Sequence, residues 1–384
     1  MDKSVVKSED LLKVMTFKSG KFVFSHRFEA AKLMPYLLQA NTLHATVRDL
    51  PILPDLAARL EEEIIRRSIF GTAAIEGNPL KEEEVAKIIS ESGKRESLER
   101  ADTEIRNLKT AYDYLAEIKI STESAFMLEE DQIRYVHSMI TRDIIHEQNT
   151  PGQYRNHRVK VGDGSHGGVY TPPHIHEDIQ KLTREFILWI NSPVVTTLDP
   201  IIRAALAHYH FGLIHPFGDG NGRTARLIEA MLIKSSGFTF VPVMLSNYYY
   251  KHVDDYFWAF SITRNNKEHD VTHFLEFVLK GVIESLTEIK DKIIYFIRKF
   301  TLREYYTFLR KEMRLNRRRH DLLTILLDES GPFSFDDLFT IPSFRVLYKT
   351  VSQRTAKRDL KALCDQKLLN CKKDEYSLNL RVLG

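Results

Sequence analysis

Apolar residues recur at helical spacing along most of the chain. Between residues 54 and 70, Leu56, Leu60, Ile64, Ile65 and Ile69 keep that spacing while Glu61, Glu62, Arg66 and Arg67 fall elsewhere, which predicts an amphipathic helix. Gly77 and Pro79 stop it. Val85, Ile88 and Ile89, then Ile105, Leu108, Tyr112 and Leu115, predict helices between residues 81 and 120, joined by an exposed connection at 91–103. The same pattern predicts helices over 128–145, 175–191 and 270–297, the last continuing to about residue 309. Residues 28–40 read as a helix interrupted by Pro35, and residues 18–24 as a strand or hairpin arm.

Two stretches break the helical pattern. At 151–173, Arg158, Val159, Lys160 and Val161 alternate, a glycine-rich turn follows at 162–168, and Val169 and Tyr170 lead into Pro172 and Pro173. This predicts a β-hairpin, whose exposed edge can take an extended peptide by strand addition. At 320–384, helices are expected over 320–328, from Ser334, and from the N-cap candidate Ser352 to about residue 369, followed by a hairpin over 370–378.

The densest chemistry lies between two apolar helical segments, at 215–226. There His215, Phe217, Gly218, Asp219, Gly220, Asn221, Gly222, Arg223 and Arg226 fall within twelve residues. Glycines leave backbone N–H groups unshielded, and the start of the following helix adds free donors and partial positive charge. Arg223 and Arg226 are one turn apart, which suits neighbouring anionic oxygens. Asp219 offers a hard oxygen ligand for Mg²⁺, and His215 a proton acceptor. These are the parts of phosphoryl-group chemistry. The plain alternative is a turn with a solvated histidine. Neither the Walker pattern nor a dinucleotide fingerprint fits, because Gly-Lys-Ser/Thr is missing and the preceding segment reads as helix.

Composition narrows little. Hydrophobic residues are 43% and charged residues 28%, ordinary for a globular protein of two or three domains in 384 residues. A net charge of +3 gives no global drive toward nucleic acid or membrane. The first residues lack an apolar signal core and no uncharged apolar run approaches membrane-spanning length, so a cytoplasmic protein is expected. Cys364 and Cys371 form no metal pattern and are expected to be reduced.

The string at 215–226 closely resembles the Fic signature H-x-F-x-[DE]-G-N-G-R-x-x-R at every specified position. The resemblance implies transfer of AMP from ATP to a Ser, Thr or Tyr hydroxyl of a target protein, and of the protein itself. It implies His215 as the base, Phe217 as the loop's anchor in the core and Asp219 as the Mg²⁺ ligand. Gly220, Asn221 and Gly222 would cradle the α- and β-phosphates with Arg223 assisting, and Arg226 would hold the γ-phosphate. Residues 72–77 also match the family's inhibitory motif [ST]-x-x-x-E-[GN] with Thr72, Glu76 and Gly77. A glutamate at a helix C-terminus sits poorly against the helix dipole, so a basic partner is expected; the resemblance names Arg226. The hairpin would be the family's flap, presenting Val159, Lys160 and Val161 to the target. Tyr256 is the implied wall of an adenine pocket, with Asn265 or Asn266 as the second candidate. A homodimer is compatible with the family.

Three helices and a hairpin at 320–384 resemble a winged helix, with Arg354, Lys357 and Arg358 within reach of DNA phosphates. Packing is the equal alternative use of such a module, and the basic run at 314–319 reads as a solvated linker. The expected fold is mainly α: a Fic-type helical core with a β-hairpin flap, plus a C-terminal winged-helix domain. The expected divisions are 1–110, with the inhibitory helix at about 54–77; 111–297, the catalytic core; and 298–384, a linker helix and the winged helix. Two other functions remain open from the sequence: removal of AMP from a modified protein, and a nucleotide-sensing DNA-binding regulator.

Overall fold

The structure is a computed structural model that describes residues 10–90, 99–120, 125–329 and 331–383. The chain start and most of the expected connection at 91–103 lie outside these residues. The elements in order are β1 (Leu11–Met15), β2 (Lys21–Ser25), α1 (Ala30–Asp49), α2 (Pro54–Ile75), α3 (Glu82–Ser90), α4 (Arg100–Glu117), α5 (Glu130–Thr141), α6 (His176–Ile190), α7 (Pro193–Thr196) and α8 (Pro200–Ile214). Then come α9 (Asn221–Ser235), α10 (Val241–Lys251), α11 (Val253–Asn265), α12 (Thr272–Lys311), α13 (Arg317–Asp328), β3 (Phe333–Ser334), α14 (Asp337–Thr340), α15 (Pro342–Tyr348), α16 (Gln353–Asp365), β4 (Leu369–Lys372) and β5 (Glu375–Leu378). The fold is mainly helical, as the periodicity predicts. No helix among the described residues is long and apolar enough to cross a membrane.

Two compact units result: one takes residues up to 49 with 54–290, the other 50–53 with 291–384. In the first, α8 is the central helix. It starts at Asp199, whose carboxylate accepts from Ile201 N–H, with Pro200 at the first helical position, and it is buried nearly all round. α9 packs along it. The hairpin of β1 and β2 covers α6, with Phe24 fully buried against Phe186 and stacked on Trp189 at 5.4 Å. The buried Asp178 carboxylate accepts from the N–H groups of Phe17, Lys18 and Ser19 and fixes the hairpin turn to α6. Pro35 does not interrupt α1. It sits in the second turn of the helix on the exposed side, and the helix runs on to Asp49.

α2 carries Thr72 at its C-terminal end and leads into Glu76 and Gly77. Gly71 lets it lie close to α10, since a Cβ there would stand 2.9 Å from Ser246 O. Gly77, at φ 85°, ends the helix; its N–H donates to Ala74 O and that of Asn78 to Ala73 O. Asn78 Nδ2 then donates to Glu104 Oε2 at 2.9 Å, fixing the end of α2 to α4.

In the second unit, α13, α15 and α16 pack over Leu322, Leu326, Phe344, Tyr348, Leu360 and Leu363 beside an antiparallel sheet of order β3-β5-β4. Three expectations change here. The segment from Ser334 is not one helix: residues 333–334 pair with β5, and Pro342 starts a separate helix. The basic run is only partly solvated: Arg314 and Arg317 are exposed, but Arg318 and Arg319 both pair with Asp359, at 2.7 and 2.8 Å, and that carboxylate is fully buried. Cys364 and Cys371 form a disulfide instead of two reduced thiols, because the turn from α16 into β4 brings their Cα atoms to 6.2 Å.

Candidate active site

α8 ends where the glycine loop begins. His215 takes a left-handed conformation, φ 50° and ψ 60°, and its N–H closes the helix on Phe211 O. A histidine there is strained, and the surroundings hold it. Phe217 is fully buried and stacks on His137 at 3.6 Å and 3°. Asn221 grips the loop from the next helix: its Oδ1 accepts from Phe217 N–H at 2.9 Å and its Nδ2 donates to Phe217 O at 2.8 Å. Gly220, at φ 76°, is the N-cap of α9.

His137 braces the other side. Its Nδ1 accepts from Gly152 N–H at 2.9 Å, so the proton sits on Nε2 and is donated to Asp219 O at 2.9 Å. Burial holds this ring near pKa 4, so it stays neutral.

The two arginines of the loop differ in their partners. Arg223 Nη2 donates to Asp219 Oδ1 at 3.1 Å and lies 3.8 Å from Glu104, while its buried Nε has no partner among the described residues. Arg100 also reaches Asp219, at 3.5 Å. Burial would raise the Asp219 carboxyl, but Arg223 and the Gly220 N–H hold it below its ordinary value, so it is ionised. Arg226 is buried. Its Nε donates to Thr72 Oγ1 at 2.8 Å and its Nη2 to Glu76 Oε1 at 2.7 Å. Glu76 remains partly open to solvent; desolvation would raise its carboxyl, and Arg226 and Arg223 bring it below the ordinary value.

His215 is the free base of the site. Its Nδ1 donates to Gly212 O at 3.4 Å, which leaves Nε2 as the basic nitrogen. Burial first, then the Arg155 charge, lower its pKa to about 4. The ring is therefore neutral at physiological pH and able to take a proton.

A cavity of about 200 Å³ runs from Glu76, Gly222 and Arg226 past His215 to Phe257, Phe260 and Arg264. The stretch at 151–173 covers one side. It is not an extended hairpin: the only strand-like pairing there is one bridge, Val161 with Tyr170, and residues 164–166 form a 3₁₀ turn. Of the three edge residues named from the sequence, Val161 pairs while Val159 and Lys160 run beside it without a ladder. Glycines crowd this turn and dilute the alternation, which is why the strand signal overstates it. Tyr256 lines the cavity, but its ring is buried and stacked on Tyr249 at 5.0 Å. Arg264 lines the cavity beyond it; Asn265 and Asn266 do not.

Several residues at the site carry no motif signal. Arg155 is buried without a carboxylate partner: its Nε donates to His215 O, its Nη1 to His157 O and its Nη2 to Pro173 O, at 2.8, 2.7 and 2.6 Å. It joins both ends of the covering stretch to the glycine loop. Glu104, His137, His208 and Glu229 escaped for the same reason, since each reads as an ordinary polar position on a helix. Truncating Arg155 to Ala leaves these carbonyls unpaired. We expect a loss of about 2–4 kcal/mol and faster proteolysis within 157–172; unchanged thermal unfolding and cleavage would contradict the staple.

The geometry has counterparts. Residues 127–233 match the Fic/DOC family model. The chain is 33% identical over 190 residues to protein adenylyltransferase fic-1 of Caenorhabditis elegans, covering 49% of this chain and 35% of that protein. It is 41% identical over 101 residues to protein adenylyltransferase Fic of Drosophila yakuba, covering 26% and 19%. The chain thus spans about a third or less of these relatives. Among solved structures it resembles residues 134–508 of C. elegans Fic-1, with TM-score 0.57 and 24% identity over 69% of this chain and 73% of that one. It also resembles a Fic family protein from Desulfovibrio desulfuricans G20, with TM-score 0.55 and 19% identity over 90% and 95%. These two structural likenesses establish the Fic fold.

Proposed function

We propose that this chain, whose residues 127–233 belong to the Fic/DOC family, transfers AMP from ATP to a hydroxyl side chain of a protein target and is restrained by its own Glu76. The observation that carries this is Arg226, the buried cation of the phosphate loop, gripped by Glu76 while His215 stays neutral beside the same cavity. The triphosphate would lie on the backbone N–H groups at 220–222, with Arg223 against the inner phosphates and Arg226 against the terminal one. The unpartnered Arg223 Nε is a donor such an anion would satisfy.

In the step itself, His215 Nε2 accepts the proton of the target hydroxyl. That oxygen bonds to the α-phosphorus as the bond from this phosphorus to the bridging oxygen breaks. AMP remains on the target and pyrophosphate leaves. Asp219, ionised at the loop, fits a hard cation and would hold Mg²⁺, which when bound offsets phosphate charge. The base suits the apolar end of the cavity, between Phe257, Phe260 and the edge of Tyr256. Val159, Lys160 and Val161 would guide the target segment by main-chain hydrogen bonds.

Glu76→Gly is expected to raise incorporation of labelled AMP from α-labelled ATP by about 10- to 100-fold, the worth of a charged hydrogen bond freed for the substrate. His215→Ala in that background should abolish it. No labelling by Glu76→Gly would reject the reading. A second check uses pH. The His215 pKa lies below its ordinary value, so the base form is complete above it and is lost as pH falls through about 4. Transfer by Glu76→Gly should therefore be flat from about pH 6 to 8, and a limb near 6.5 would contradict the assignment.

The second unit supports a nucleic-acid partner. Residues 291–384 hold 20 Lys and Arg against 12 Asp and Glu, net +8, in a chain of net +3. On α16, Arg354, Lys357, Arg358 and Lys361 are exposed at i, i+3, i+4 and i+7, while Ala356, Asp359, Leu360 and Leu363 are buried. Lys372 and Lys373 stand at the turn from β4 to β5. We read this unit as a winged helix that lays α16 on the phosphates of duplex DNA. Anisotropy of a labelled duplex should show binding that weakens with salt, and replacing Arg354 and Arg358 with Ala should reduce the log–log salt slope by roughly 2. No binding at about 50 mM salt would reject it.

A further inference from the structure

Behind Arg226 lies a chain of buried polar groups that the proposed chemistry does not use. Glu229 on α9, His208 on α8 and Tyr256 on α11 are all buried, and so is Tyr249 on α10. Tyr249 OH donates to Glu229 Oε1 at 2.9 Å. His208 Nδ1 lies 3.0 Å from Glu229 Oε2, and His208 Nε2 lies 2.9 Å from Tyr256 OH. Arg226 Nη1 donates to Tyr256 OH at 3.5 Å.

The donor and acceptor chemistry gives this chain one direction. A guanidinium only donates, so the Tyr256 oxygen accepts from Arg226 and its O–H is left to donate to His208 Nε2. The ring proton then lies on Nδ1, which donates to Glu229 Oε2. The hydrogen bonds thus run one way, from the guanidinium through a phenol and an imidazole to the Glu229 carboxyl, and bonds in such a chain polarise one another. Burying a carboxylate is costly without bonded partners, and Glu229 has two.

The relay differs from the other hold on Arg226 in where its parts reside. Thr72 and Glu76 both sit at the end of α2, so that grip is lost when the segment moves aside. His208 and Glu229 belong to α8 and α9, the helices that carry the loop itself, and Tyr256 to α11; none of the three is on α2.

We propose that the Glu229–His208–Tyr256 relay is a positioning strut that keeps Arg226 aimed at the terminal phosphate once Glu76 has let go. It acts through Arg226, so its parts are positioning residues. The inference rests on the reading that Arg226 meets that phosphate. Tyr256 accordingly bears on triphosphate discrimination through its hydroxyl, apart from any contact of its ring edge with a base.

The test compares ATP with ADP, which lacks the terminal phosphate, by calorimetric titration in the Glu76→Gly background. The parent should prefer ATP, and Arg226→Ala should erase the preference. Tyr256→Phe keeps the ring and its stacking but removes the hydroxyl; it should cut the ATP-over-ADP preference by about three- to ten-fold, one hydrogen bond's net worth. Glu229→Gln keeps the shape and replaces one accepting oxygen with a donating amide, and should shift the preference the same way by a smaller factor. If Arg226→Ala erases the preference while Tyr256→Phe and Glu229→Gln retain it, the relay is overturned and the Arg226 reading stands. If Tyr256→Phe weakens ATP and ADP equally, with a lowered melting temperature, the hydroxyl is merely structural and the proposal is likewise overturned. If Arg226→Ala itself leaves the preference intact, the Arg226 reading fails and takes the inference with it.

Discussion

A buried guanidinium and a partly exposed carboxylate meet where α2 ends against α9, and much of the site's architecture holds that meeting in register. Arg226 cannot be left without a partner inside the core, because an uncompensated buried charge is among the costliest defects a fold can carry. The pair gives little net stability by itself; what it gives is a single, specified docking of α2. That docking is reinforced where charge plays no part: at Gly71, which admits the backbone of α10, and at Asn78, which is tied to α4 through Glu104.

The glycine loop is braced on three sides by neutral contacts. Phe217 fixes it to the core, Asn221 closes it from the helix that follows, and His137 carries its carbonyl at Asp219. His137 is neutral at physiological pH and the other two braces carry no charge, so these contacts hold the loop backbone whatever partners Asp219, Arg223 and Arg226 take.

Local signals were readable from the sequence, and crossings between distant segments were not. The helices of the first unit, the order of helix, glycine loop and helix, and the cluster at 215–226 all follow from periodicity and residue type. So does the need for a cation at the end of α2, since a C-terminal glutamate opposes the helix dipole; which arginine answers it is a fact of tertiary structure, supplied in advance only by family resemblance. Arg155, Glu104, His208 and Glu229 were invisible because a buried polar residue is defined by partners dozens of positions away. Arg318 and Arg319 misled for the same reason: a basic run looks solvated until the buried Asp359 is found between the two. The hairpin at 151–173 was overstated because alternation marks a strand only where a partner strand is long enough to answer it.

Arg155 sets a limit on how this molecule can vary. One guanidinium binds the carbonyl of His215 and carbonyls at both ends of the covering stretch, so the stem of that stretch and the base share a single fixed frame. Changes at exposed tip positions such as Gly164 and Ser165 leave the three carbonyls where they are, whereas Gly167 has no room for a side chain beside Ser261. A shift of one residue in the stem would displace the base as well. Descendants of this fold can therefore vary the stretch away from its stem while the distance from the stem to His215 stays constant.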